Sequence, residues 1–234
     1  MNIVINSHQL DASTAEPHEI PAIAAVAFRV RDASRAYRHA LDRGAWPVAT
    51  HVEVMELNIP AVHGAGTTRI YFVDRYREFS IYSVDFVPIA EADASPAAIS
   101  GMHWFGLVQY VARGRIDHWT EFYRELFGFT ALPDHTQFGI LGKGRILQSP
   151  NKVFIQLIEP ESDVPDLTGE ERFQRIGFGV NNVPEAVAAL RERGVEFYDS
   201  ENLHVTDKGA LTCPWLGGVM FELVATPRGS LRPA

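Results

Sequence analysis

Apolar residues along this chain follow two rhythms, and the places where one gives way to the other mark a recurring unit. Val26, Phe28 and Val30 alternate with Ala27, Arg29 and Arg31, the period of a strand with one face buried. After Asp32 the spacing becomes helical and stops at Gly44, where a helix end commonly needs a left-handed residue. The same text returns at Ile176-Gly177-Phe178-Gly179-Val180-Asn181-Asn182 and runs to Gly194, at a constant offset of 150 residues and without a gap; Ala36, Arg43 and Gly44 match Ala186, Arg193 and Gly194. A more diverged copy has a strand at Gly106–Val111 and a helix over Ile116–Phe127 that ends at Gly128. In that helix Trp119, Phe122, Tyr123, Leu126 and Phe127 share one face at spacings of three and four, a core stripe, with Asp117, Glu121, Arg124 and Glu125 elsewhere. Each copy closes in further strands, at Thr68–Val73, Lys152–Ile158 and Val219–Val224. The plan is strand, helix, three strands. Ahead of the first copy stands a lone apparent strand, Asn2–Asn6, followed by the loop-like stretch Ser7–Glu19. The small, polar, proline-containing run Glu91–Ala98 reads as a linker.

Composition adds mostly exclusions. With 46% hydrophobic and 21% charged residues in 234, the chain is an ordinary globular protein able to bury a core. A formal charge of −8, with no run of Lys or Arg, argues against nucleic acid or an anionic membrane as partner. Cys213 is the only cysteine, so no internal disulfide forms. No N-terminal signal pattern or 18-residue apolar span is present, and the expected location is the cytoplasm. Cys213 lies beside Pro214 with no histidine pattern nearby, and no glycine-rich phosphate loop follows a strand.

Repeated βαβββ units of this kind resemble the vicinal oxygen chelate superfamily, and the chain is most similar to its 4-hydroxyphenylpyruvate dioxygenase family of bacterial type. The likeness is carried by Phe28-Arg29-Val30-Arg31-Asp32-Ala33-Ser34-Arg35-Ala36-Tyr37, Met55–Ala61, Tyr71–Tyr76, Ser80–Val87 and Arg113-Gly114-Arg115 with the aromatic helix. The resemblance implies an α+β fold with a truncated N-terminal module over 1–89 (the lone strand plus one unit), a linker over 90–100, a two-unit β-cup over 101–227 and a tail over 228–234. It further implies Fe(II) held by two histidines and a glutamate in the C-terminal cup, with positions open for a 2-oxo acid and dioxygen, and conversion of 4-hydroxyphenylpyruvate to homogentisate.

Matched residue by residue, that site is altered. Glu222 takes the glutamate position in Gly217–Val224, but the family's histidine positions fall on Gly106 and, after Gln174, on Arg175. His103 lies three residues before Gly106, an odd displacement that sends it to the opposite face of the strand unless a β-bulge intervenes. His118 falls in the helix, and His204 in a loop from which it could swing over the cup. The pseudo-symmetry of the units sets Gly106 against Arg175 and Gln156 against Glu222. Arginine cannot lose its proton to become a ligand. The expectation is that the Arg175 guanidinium stands where iron would and pairs with Glu222. Two further departures are Gln156 and Ile158, where the family's substrate strand carries a proline and an asparagine, and the tail after Pro227, where the family has a closing helix.

The expected protein is therefore a metal-independent binder of a small carboxylate or aromatic acid through Gly106, Gln156, Arg175 and Glu222, or a non-catalytic homologue, with no cofactor. The alternatives are an active Fe(II) 2-oxo-acid dioxygenase of tyrosine catabolism, with ligands supplied by His103, His204 or a partner chain, and another activity of the superfamily such as that of a dehydroshikimate dehydratase-type domain or an antibiotic-sequestering protein. Ile3, Val4 and Ile5 are expected to pair within the incomplete N-terminal sheet and leave an apolar face for a homodimer.

Overall fold

The computed structural model describes residues 2–5, 21–49, 58–77, 80–93, 96–140, 144–159, 171–215 and 218–226. They form two units, one of Ala24–Ala97 and one of Met1–Ile23 with Ala98–Ala234. The division after Ala97 lies inside the expected linker, whereas the described residues 2–5 and 21–23 group with the C-terminal unit, not the N-terminal one. No helix among the described residues is long and apolar enough to cross a membrane.

The smaller unit contains β1 (Ala25–Arg29), α1 (Ala33–Asp42), β2 (Ala61–His63), β3 (Arg69–Val73) and α2 (Ile81–Asp85). β3 is central, parallel to β1 and antiparallel to β2. Asp32 starts α1 by accepting a hydrogen bond from Arg35 N at 2.8 Å, and Asp74 Oδ2 accepts from Ala33 N at 2.9 Å. Tyr37 sets the helix edge-on against Phe72 of β3, with ring centroids 6.5 Å apart. The expected strand at Asn2–Asn6 is not formed over residues 2–5, which are irregular, and Ile5 is 90% exposed. The described three-stranded sheet does not contain it. An uninterrupted Ile-Val-Ile run has no alternation to say which face goes inward, so it specifies no register. The homodimer drawn from that strand loses its sheet; Asn6 and the loop to Glu19 lie outside the described residues.

The larger unit contains β4 (His103–Tyr110), α3 (Ile116–Phe127), β5 (Thr130–Ala131), β6 (Arg145–Gln148), β7 (Phe154–Ile158), β8 (Arg172–Val180), α4 (Val183–Arg191), β9 (Gly209–Leu211) and β10 (Met220–Ala225). They make one seven-stranded sheet in the order β5-β6-β7-β4-β8-β10-β9. The two repeats meet where β4 runs antiparallel to β8, and each repeat's last strand lies parallel to its first. The helix over Ile116–Phe127 forms as the sequence predicts and ends in Gly128 at φ 69°. It lacks a capping side chain of its own. Glu159 accepts from Ile116 N at 3.0 Å, and Glu171 accepts from Ala112 N and from Trp119 Nε1 while pairing with Arg115, so two carboxylates sit at the positive end of the helix. Of the aromatic stripe, Trp119 and Tyr123 are buried and Phe122, Leu126 and Phe127 half-buried. α4 is started by Asn182, whose side chain accepts from Glu185 N, and it covers Val180, Ala210 and Leu223. The 150-residue offset is visible in the backbone. Asp32 and Asn182 cap matching helices, and Gly44 and Gly194 turn left-handed at φ 84° and 83°.

Candidate functional site

The crossing of β4 and β8 fixes the site. Val108 pairs with Arg175 and Gly106 with Gly177 across it, while Gly106 and Val108 stand beside Phe154 and Gln156 of β7, and Arg175 and Gly177 beside Met220 and Glu222 of β10. A pseudo-twofold relation that takes Gly106 to Arg175 and Val108 to Gly177 therefore takes Gln156 to Glu222, the same correspondence read from the sequence. Parallel neighbours in register project to one face. Gly106, Gln156, Gly177 and Glu222 consequently line one small cavity on the face away from the helices, with Phe105, Phe138, Ile146, Phe154 and Val224.

Arg175 lies beside that lining, not in it. It is 2% exposed, its guanidinium carbon stands 5.7 Å from the centre of the Tyr110 ring, and its Nε has no hydrogen-bond partner. Glu222 is 3% exposed. Burial pushes its carboxyl from the ordinary 4.5 to about 7, and the charge of Arg175 pulls the other way. Among the described residues no ion pair within 4.0 Å joins the two. The expected pairing is thus an electrostatic neighbourhood between two buried groups on adjacent strands, two residues apart in register. Gln156 is half-buried.

The histidines separate. The register of β4 shifts between Trp104 and Gly106, a bulge that sets Phe105 and Gly106 together opposite Gly177 and returns His103 to register with Gly179. This corrects the expectation from strand alternation: His103 lies on the same face as Glu222. Its Nδ1 is 3.1 Å from Gly101 O and its Nε2 is 3.5 Å from Thr226 Oγ1. His204 and His118 are exposed, the former on a loop and the latter on α3. Among the described residues no group of three or more His, Cys, Asp and Glu is placed to hold a metal ion.

Gly106 has no room for a side chain. A Cβ there would strike the carbonyl of Phe154, and the side chain at that level comes from Phe105. Phe105 stacks on Phe154 at 4.8 Å and meets Phe138 edge-on at 4.9 Å. Phe105, Phe138 and Gly177 were missed from the sequence. The available signal was glycine inside strand patterns at 106 and 177, which marks a bulge or a close approach of backbones.

Comparison with known proteins gives the class to which this architecture belongs. Residues 102–229, more than half of the chain, match the glyoxalase/bleomycin resistance protein/dioxygenase superfamily, and the chain belongs to it. Residues 1–87 match the family described as hydroxyphenylpyruvate dioxygenase, HPPD, N-terminal, so within the superfamily the chain is 4-hydroxyphenylpyruvate dioxygenase-like. It is 34% identical over 214 residues to hemolysin VllY of Vibrio vulnificus, covering 84% of this chain and 58% of that one. It is 31% identical over 221 residues to the 4-hydroxyphenylpyruvate dioxygenase of Pseudomonas aeruginosa, covering 87% of this chain and 60% of that one. The chain thus spans about three fifths of these relatives' length. Among solved structures, a xylose isomerase-like TIM barrel/4-hydroxyphenylpyruvate dioxygenase fusion protein superposes with a TM-score of 0.67 at 22% identity, over 91% of this chain and 40% of that one. A mutant of 4-hydroxymandelate synthase from Streptomyces coelicolor does so at 0.62 and 19%, over 89% and 73%. These two are likenesses of fold.

Proposed function

We propose that this chain is a metal-independent homologue of the 4-hydroxyphenylpyruvate dioxygenases that binds a small carboxylate or aromatic acid at Arg175. The observation that carries the reading is the guanidinium itself, 2% exposed and with an Nε that nothing hydrogen-bonds. A buried cation left short of partners is costly, and a carboxylate answers that cost with a bidentate pair. The donors around the cup do not fit Fe(II). They are one carboxylate beside a permanent positive charge, a glycine with no space for a side chain where the first histidine would stand, and an arginine in place of the second. His103, on the cup face, favours the second reading of an active dioxygenase, with 4-hydroxyphenylpyruvate as substrate.

Calorimetric titration of the chelator-treated protein with 4-hydroxyphenylpyruvate, together with iron analysis and oxygen uptake, separates the two. Binding without oxygen uptake, weakened at least roughly tenfold by Arg175→Met through loss of a charge-assisted pair, is the expected result. Near-stoichiometric iron that Glu222→Ala abolishes, with oxygen consumed on the same acid, would overturn it.

A further inference from the structure

The cup that should receive a ligand already holds a piece of the chain. Between β5 and β6 the segment 133–140 folds inward and places the Phe138 ring 4.9 Å from that of Phe105 and 5.0 Å from that of Phe154. Next to it Gly139 adopts a left-handed φ of 63°, where a Cβ would collide with Glu222 Oε1 and touch Val224 Cγ2 at 3.5 Å. On the opposite side Gly209 makes room for the same backbone, since a Cβ there would lie 2.8 Å from Gly139 Cα and 3.0 Å from Ile140 N. Two glycines on separate elements therefore let this loop rest against the buried carboxylate. The space left over is about 20 Å³, room for one water and not for an aromatic acid.

The loop is nonetheless lightly tied. Among the described residues its backbone hydrogen bonds are Thr136 N to Pro133 O at 2.8 Å and, at its root, Leu132 N to Ile146 O at 2.8 Å. Pro133, Asp134, His135 and Gln137 are exposed. Side-chain packing seats it, and few of the described backbone bonds would have to break for it to leave.

We propose that Phe138–Gly139 is a built-in occupant of the cup, a stand-in ligand that an aromatic acid bound at Arg175 must displace. The identity of the incoming acid rests on the function proposed above; the plug rests on the packing alone. The acid's ring takes the place of the Phe138 ring against Phe105 and Phe154, and its apparent affinity is reduced by the fraction of molecules whose plug is out.

The test uses the full chain, chelator-treated, in three forms: unaltered, Phe138→Ala and Gly139→Ala. The first substitution deletes the plug's ring and the second crowds it off Glu222, so the two open the cup by opposite means. Each is titrated with 4-hydroxyphenylpyruvate and with neutral indole. Both variants should bind the acid roughly tenfold more tightly than the unaltered protein and take up indole, which the unaltered protein excludes. Folded variants that take up indole no better than the unaltered protein overturn the plug, whatever the acid does. Indole uptake by the variants, with acid binding absent or indifferent to Arg175→Met, sustains the plug and removes the acid-binding function instead. Should neither variant fold, hydrogen exchange of the unaltered protein decides. Amides of Phe138–Ile140 exchanging by local opening, well below the global unfolding free energy, sustain the proposal, and exchange only with global unfolding overturns it.

Discussion

The two halves of the cup share a backbone and differ in what stands on it. In the first half, matched positions carry Gly106 and Gln156; in the second they carry Arg175 and Glu222. The first half is neutral and filled by Phe105, Phe138 and Phe154, and the second buries two ionisable groups with few partners. Duplication thus fixed the register, through a sheet whose pairings map onto themselves, and left the side chains to diverge. A strand position is a backbone constraint first. Whether it can hold a ligand depends on whether its neighbours leave a Cβ any room, and of the matched pair Gly106 and Arg175 only the second does.

The strongest way to break this comparison is to put one residue at both matched positions. Gly106→His drives a side chain into the Phe154 carbonyl at a bulge in the central strand, and should cost about 3 kcal/mol or more, read as a fall in the denaturant midpoint. Arg175→His sits where a larger side chain already fits and removes a buried charge, so its cost should stay within about 1–2 kcal/mol. Equal costs at the two positions would show that they are not unequal in space.

Titration separates the halves next. Glu222 holds its proton up to about pH 7 in the folded protein, whereas the unfolded chain releases it near 4.5. The folded state therefore binds more protons between these values, and the stability this contributes is complete below pH 4.5 and lost as pH rises through about 7. The loss is of order 3 kcal/mol. Glu222→Gln should flatten that part of the stability profile measured by urea unfolding from pH 4.5 to 8, and Gln156→Leu, at the matched position, should leave the slope in place.

Much of this was legible along the chain because it is local. The helix over Ile116–Phe127, its terminal glycine and the 150-residue repeat depend on neighbours in sequence, and each was readable. The correspondence of Gly106 with Arg175 and of Gln156 with Glu222 was readable as well, since a repeat carries its register with it, but not that Arg175 stands outside the cavity lining. What failed was tertiary or irregular. A single extra residue at Phe105 reversed the face of His103, and period-two counting cannot see such an insertion. Ile3–Ile5 looked like a strand because apolar runs favour strands, but a strand needs a partner edge. Phe138 comes to Phe105 and Phe154 from a loop whose apolar run Phe138–Leu141 has no period to say which way it faces.

The smallest expected effect lies on the other side of the sheet, where the halves differ again. Beneath α3, Tyr123 OH donates to Gln109 Oε1 at 2.5 Å with both residues fully buried, and Gln109 Nε2 has no partner. The same pseudo-symmetry sets Phe178 against Gln109, and Phe178 packs in the apolar cluster beneath α4. A polar pair in one half therefore does the work of an apolar contact in the other. Tyr123→Phe alone leaves a buried amide with its acceptor unpaired as well, and should cost about 1–2 kcal/mol. Tyr123→Phe with Gln109→Leu removes both polar groups, makes the first half resemble the second, and should return stability to within about 0.5 kcal/mol of the unaltered protein. Additive costs in the double variant would mean that the pair holds the sheet to α3 by more than its own hydrogen bond.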